Sequence, residues 1–188
     1  SSAFIVAGVC AAAAWLIVAF SVPRGKPPAP SGAGVGLFDF RPVLRNRSAM
    51  AYAQAYCIHT LEMNALRGWG VAFLGYVALS TGTGDAPLSP TLVVTALGLI
   101  GTAASVLGNE AAIRLGRRRL ISLAMIGSIL VGGSLGFLGT ISYALAVSLL
   151  LLYGFVVWLD SSSLTAGAAG SAEPSRRGAP LAVHSPLG

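Results

Sequence analysis

Five long apolar stretches constrain this chain more than any other feature. They run from about Ala3 to Ser21, Ala49 to Ser80, Pro90 to Ala112, Leu120 to Thr140 and Ile141 to Gly170, and a sixth begins at Ala179. A helix needs about 20 consecutive apolar residues to cross the hydrocarbon layer of a bilayer. Each of the five is long enough to span, and the second and fifth are long enough to tilt or project beyond it. Charged residues make up 10% of the 188, whereas a soluble domain carries about a quarter. So little polar surface excludes an ordinary soluble enzyme, and so apolar a chain is not disordered. The expected fold class is all-α: a polytopic transmembrane helix bundle with five full spans and a truncated sixth.

The basic residues give the orientation. Eleven of the twelve lie outside the apolar stretches, in three places. Arg24, Lys26, Arg41, Arg45 and Arg47 follow the first span, Arg114 and Arg117 to Arg119 follow the third, and Arg176 and Arg177 follow the fifth. The connections at 81–89 and 139–142 hold neither Lys nor Arg. Basic loops stay cytoplasmic, so the pattern reads in, out, in, out, in, for a multi-pass protein of the plasma membrane. The net charge of +6 is thereby assigned to topology and to contact with anionic lipid. Nucleic acid is excluded as a partner, because no soluble module carries a basic stripe interleaved with aromatics.

Residues 22–48 form the long hydrophilic connection. Its run of Pro23, Pro27, Pro28 and Pro30, followed by Gly32, Gly34 and Gly36, predicts an extended cytoplasmic tether. The glycines fit neither a dinucleotide fingerprint nor a phosphate-binding loop. Cys10 and Cys57 fall inside spans without the spacing of a metal motif, and are expected to be buried apolar residues. The chain starts at Ser1 directly at an apolar span that lacks the basic leader of a signal peptide, and stops at Gly188 inside another. That is the pattern expected of the middle of a larger membrane protein.

In lipid, helices approach along faces of small residues at four-residue spacing. Ala104, Gly108 and Ala112 make such a ridge in the third span, and Ser128, Gly132 and Gly136 make one in the fourth. Both predict close packing.

Polar residues inside the spans point to function. His59, Glu62 and Arg67 lie near the middle of the second span, where a charge costs about 2.5 to 3.5 kcal/mol on insertion scales. With Tyr52 at zero and about 100° per residue, Tyr56 falls near +40°, His59 near −20°, Glu62 near −80° and Arg67 near +60°. One side of the helix therefore carries them all, and that side must face protein or water. His59 and Glu62, three residues apart, are within reach of each other along the helix. Arg67 is expected to meet an anionic substrate or a residue of another helix, Asp160 among them. Asp160, followed by Ser161, Ser162 and Ser163, sits at a similar depth in the fifth span. Two readings stay open for this group: a buried ion-pair network that fixes helix register, or a polar cavity whose His and carboxylates carry protons.

Residues 109–118, Asn-Glu-Ala-Ala-Ile-Arg-Leu-Gly-Arg-Arg, resemble the signature loop of the major facilitator superfamily: Gly, three residues, Asp, Arg, any residue, Gly, Arg, Arg. Arg114, Gly116, Arg117 and Arg118 match, whereas Asn109 replaces the first Gly and Ile113 the Asp. The family's copy between helices 8 and 9 is typically degenerate in this way. The basic connection before Met50 resembles the family's linker between helices 6 and 7, and residues 173–178, Glu-Pro-Ser-Arg-Arg-Gly, look like the short loop before helix 11. The segment from Arg45 through Tyr52, Tyr56, His59, Glu62, Arg67 and Trp69 also resembles helix 7 of a group of bacterial members.

The resemblance implies helix 6 over 1–21, a cytoplasmic inter-bundle linker over 22–48 and a truncated second bundle, about helices 7 to 11, over 49–188. A missing N-terminal bundle of the same protein would complete it in the bacterial inner membrane. It further implies a substrate path near the midplane that alternates its access, and places Tyr56, His59, Glu62 and Asp160 at that path. The expected activity is secondary transport of a small molecule, with proton coupling through Glu62 and His59, no catalytic residue and no metal or cofactor. A polytopic membrane enzyme and a permease subunit of an ATP-driven importer remain the alternatives. The first lacks the second His of a His-Glu-x-x-His site on that helix, and the second needs a cytoplasmic docking segment where Leu120 already re-enters the membrane.

Overall fold

The computed structural model describes residues 2–21, 41–83, 88–171 and 181–183. All the regular elements it defines are α-helices: α1 (Ser2–Ser21), α2 (Arg41–Arg45), α3 (Arg47–Ser80), α4 (Pro90–Leu115), α5 (Arg117–Leu138), α6 (Tyr143–Trp158) and α7 (Ser161–Gly170). The expected all-α class holds. The chain divides into two compact units, 1–35 with α1 and 36–188 with α2 to α7.

The first unit contributes a single apolar helix of 20 residues, about 30 Å long at 1.5 Å per residue. Cys10 is exposed on it, not buried as expected from its apolar setting.

In the second unit three helical stretches are long and apolar enough to cross a membrane: Pro90–Leu115, Arg117–Leu138 and Tyr143–Gly170. Helix α3, with 34 residues, is longer than any of these, yet His59, Glu62, Asn64 and Arg67 dilute its apolar character. Local signals fix the helix starts. Ser89 caps α4 by accepting from the Leu92 N–H at 3.3 Å, with Pro90 at the first helical position. Ser142 caps α6 through the Leu145 N–H at 3.2 Å, and the Asn46 side chain accepts from the N–H groups of Ser48 and Ala49 at the head of α3.

Two boundaries depart from the sequence reading. Arg117, Arg118 and Arg119 open α5 instead of forming a loop, so the turn between α4 and α5 is Gly116 alone, at φ +85°. Only a residue without a Cβ takes that conformation without strain. The end of the 22–48 tether is also not extended: 41–45 form α2, with Val43 buried, and α3 begins at Arg47.

Helix α6 packs between α4 and α5, while α3 lies against α6 and α7. The shared core is built from Leu66, Leu74 and Val77 of α3, Val93 and Leu97 of α4, and Leu150, Val157 and Trp158 of α6. The fifth span is not one uninterrupted helix. At its centre the Leu159 N–H bonds to the Val156 carbonyl, a tighter i to i−3 step, and Asp160 sits at φ −96°, ψ −8° before α7 resumes.

This break is where α4 comes closest. A Cβ on Gly108 would collide with the Leu159 carbonyl, and one on Gly101 would lie 2.6 Å from the Trp158 ring. Ser162 Oγ then donates to the Ser105 carbonyl at 2.9 Å, tying α7 to α4. The ridge of Ala104, Gly108 and Ala112 is wholly buried, as its spacing implied. The second ridge is used in part: Ser128 is buried and Gly132 meets the Tyr153 ring, but Gly136 has open space around it.

The two ends of the bundle differ. At one, the Asn46 side-chain amide donates to the Ser171 carbonyl at 2.8 Å, and Arg117 reaches Gly170. The Arg41–Arg47 and Arg114–Arg119 clusters therefore share an end, as the alternation of basic connections requires, and a cation there complements the C-terminus of α7. At the other end the Tyr143 hydroxyl donates to the Leu88 carbonyl at 2.6 Å, in connections without Lys or Arg. Arg176 and Arg177 lie outside the described residues.

Gly108→Ala should destabilise the bundle by about 1–3 kcal/mol, the range for overpacking a tight contact, because the Leu159 carbonyl is backbone and has no rotamer to yield. Gly136→Ala should be neutral or slightly stabilising. Thermal unfolding of the two variants in the same detergent checks the contrast; equal midpoints would contradict it.

Candidate functional site: a polar cavity between α3, α5 and α6

The break after Trp158 turns Asp160 inward, and α3 supplies its partner. Asp160 Oδ1 lies 3.1 Å from His59 Nδ1, both side chains being about 95% buried. The ring N–H is not in line with Oδ1, so the contact is an ionic approach that leaves Oδ1 without an aligned hydrogen bond. Asp160 also sits at the amino end of α7, where the partial positive charge of the helix favours a carboxylate. On its other side the imidazole is stacked with Tyr56, ring centroids 5.9 Å apart and planes 21° from parallel. One turn further along α3, Glu62 Oε1 accepts a hydrogen bond of 2.5 Å from the Tyr153 hydroxyl of α6, a short, charge-assisted geometry when Glu62 is ionised.

His59, Glu62, Tyr153 and Asp160 line one cavity of about 380 Å³, with Ser128, Ile129 and Val157 among the other walls. A second cavity of about 270 Å³ begins on the far side of the Glu62–Tyr153 pair and is otherwise almost entirely apolar, between Leu66, Trp69, Phe73, Leu135 and Leu150. Glu62 and Tyr153 belong to both linings, so their hydrogen bond is part of the partition between the two spaces.

The sequence-predicted group is thus brought together with two changes of partner. His59 and Glu62 do not pair along α3; each reaches a different residue of the fifth span. Arg67 does not meet Asp160. Its guanidinium lies over the Trp158 ring, 4.9 Å from the centroid, on an exposed stretch of α3 and outside the linings of both cavities. A cation over an aromatic face gains about 0.5–2 kcal/mol, which offsets part of the cost of placing the charge there. With Gly101 behind it, Trp158 is held between α4 and Arg67.

Tyr153 was not singled out in the sequence, although an aromatic hydroxyl in an otherwise apolar span is the signal that marks it. Two buried hydroxyls, Thr60 Oγ1 and Ser163 Oγ, have no hydrogen-bond partner. Of the residues that resemble the signature loop, Arg114 donates from Nη2 and Nε to the one oxygen Glu110 Oε1, one turn back, at 2.8 and 3.0 Å. Both side chains are well exposed, so the pair contributes little stability. Gly116 makes the turn, and Arg117 and Arg118 are exposed at its edge. His184 lies outside the described residues.

Comparison of the chain with protein-family models, with curated proteins and with solved structures finds no match. The chemistry of the site therefore rests on its geometry: His59, Glu62 and Asp160 with the Tyr153 phenol in the lining of one cavity.

His59→Ala and Asp160→Ala should each cost about 1–3 kcal/mol, since each leaves the other polar group buried without its ionic partner. The double variant should cost less than the sum of the two by at least about 0.5 kcal/mol. Reversible unfolding in mixed micelles measures the cycle, and strict additivity would mean that the two side chains do not interact.

Proposed function

We propose that the chain is part of a secondary transporter of the major facilitator type, in which helices of one bundle supply half of a solute path and Glu62, with the His59–Asp160 pair, couples solute movement to protons. The observation that carries this reading is the clustering of Glu62, His59 and Asp160 in one cavity of about 380 Å³, at the depth where a purely structural bundle would place apolar residues. Ionisable side chains inside a membrane are costly, and those that face a cavity mark solute and proton routes.

Further support comes from the interrupted fifth span. Discontinuous helices are the usual means of presenting polar groups at the midplane, and Asp160 stands at such an interruption. The resemblance of residues 109–118 to the family's signature loop agrees with a one-residue turn at Gly116 between two antiparallel spans. That turn also weighs against an importer permease, because Gly116 alone offers no segment on which an ATPase could dock. In this reading five spans and the start of a sixth belong to the chain, the basic end of the bundle faces the cytoplasm of a bacterial inner membrane, and another bundle completes the path.

In the proposed cycle Glu62 releases or takes up a proton as the Tyr153 hydrogen bond opens and closes, with the His59–Asp160 pair in the same cavity. In proteoliposomes of the full-length protein, with a solute found by screening, Glu62→Gln should abolish uptake driven by a pH gradient while solute exchange continues. Gradient-driven uptake at the wild-type rate in that variant would refute the coupling role of Glu62.

A further inference from the structure

The cavity that holds Glu62 and Asp160 has an electrostatic sign. Among the described residues its lining includes two carboxyl groups and one imidazole, and no Lys or Arg. The nearby cation of α3, Arg67, is turned away onto Trp158. Even with His59 protonated and neutralising Asp160, an ionised Glu62 has, among the described residues, the neutral Tyr153 hydroxyl as its partner. Asp160, 3% exposed, also lines the cavity, with its Oδ1 3.1 Å from His59 Nδ1. The remaining walls are apolar, with Ile129 and Val157 beside the polar groups. A space of this kind, negative at one side and apolar at the other, attracts a positive charge attached to a hydrophobic body.

We propose that this cavity binds a monovalent organic cation, an amine or quaternary ammonium with an apolar substituent, its charge against the Glu62 carboxylate and beside Tyr153. An anionic solute would meet the Glu62 carboxylate and, among the described lining residues, no Lys or Arg. The low-dielectric surroundings make that discrimination larger than it would be in water. Tyr153 contributes in two ways: its hydroxyl holds Glu62 in place, and its ring offers a cation–π surface. This inference rests on the reading of the cavity as a solute site, and deepens it by naming the class of solute.

The test uses benzyltrimethylammonium, its neutral carbon isostere neopentylbenzene and benzenesulfonate, which share an aromatic body and differ in charge. Equilibrium binding of radiolabelled benzyltrimethylammonium to the purified full-length protein in detergent should be saturable. It should weaken at least tenfold in Glu62→Gln, and neither the neutral nor the anionic analogue should compete at equal concentration. Because Glu62→Gln disturbs the contact with Tyr153, Tyr153→Phe serves as the second variant. It keeps the ring and the carboxylate but loses the charge-assisted hydrogen bond that positions Glu62, and should weaken binding by less than about tenfold, and by less than Glu62→Gln does. Wild-type affinity in Glu62→Gln, absence of saturable binding, or equal competition by benzenesulfonate would overturn the assignment. So would a tenfold loss in Tyr153→Phe, which would place the effect in the hydrogen bond and not in the charge. Saturable, Glu62-dependent binding without uptake in proteoliposomes would refute transport and leave the cation site standing. Uptake of an anion without cation binding would refute the site's sign and leave transport standing.

Discussion

A carboxylate buried among apolar helices must be met by a partner from another helix, and the pairing of Asp160 with His59 is the constraint around which the second unit is arranged. Satisfying it requires the fifth span to break after Trp158, so that Asp160 points inward at the head of α7. It also requires α3 to cross α7 closely enough for a histidine to reach. The break brings the Leu159 carbonyl against α4, a contact that a side chain at position 108 would prevent. The small residues of α4 and the polar residues of α3 are thus two halves of one arrangement: glycine permits the approach that the ion pair needs.

The same physics separates the polar groups by role. Arg67, exposed on α3, has its charge over the Trp158 ring and stays out of the cavities. Glu62 is fixed by the Tyr153 phenol at the partition between a polar and an apolar cavity. Two carboxyl groups and one imidazole line the polar cavity among the described residues, and the proposed preference for a cation rests on them.

Much of this was legible in the sequence because membrane burial imposes simple rules. Twenty apolar residues in a row become a helix, since no other regular structure of a single segment satisfies its own backbone in lipid. The alternation of Arg-rich and Arg-free connections placed the Arg45–Arg47 and Arg117–Arg119 clusters at one end of the bundle, and the Asn46–Ser171 and Arg117–Gly170 contacts put them there. Helical periodicity gathered Tyr56, His59 and Glu62 on one side of α3. Less legible were the limits of the helices, since Arg117–Arg119 are as compatible with a first helical turn as with a loop. Partner choice was hidden as well. Spacing along α3 suggested that His59 would meet Glu62, but residues of α6 and α7 approach both more closely.

By itself the sequence determined the helical class, the long apolar segments, the shared end of the basic clusters and the identity of the ionisable residues at membrane depth. Each of these follows from the composition and period of a local segment. Only the tertiary structure decided that Asp160 pairs with His59, that Tyr153 holds Glu62, that Arg67 turns to Trp158, and that the fifth span breaks where α4 has a glycine. Those are contacts between residues 51 to 101 positions apart in the chain, and their outcome depends on how the helices cross, which no single helix encodes.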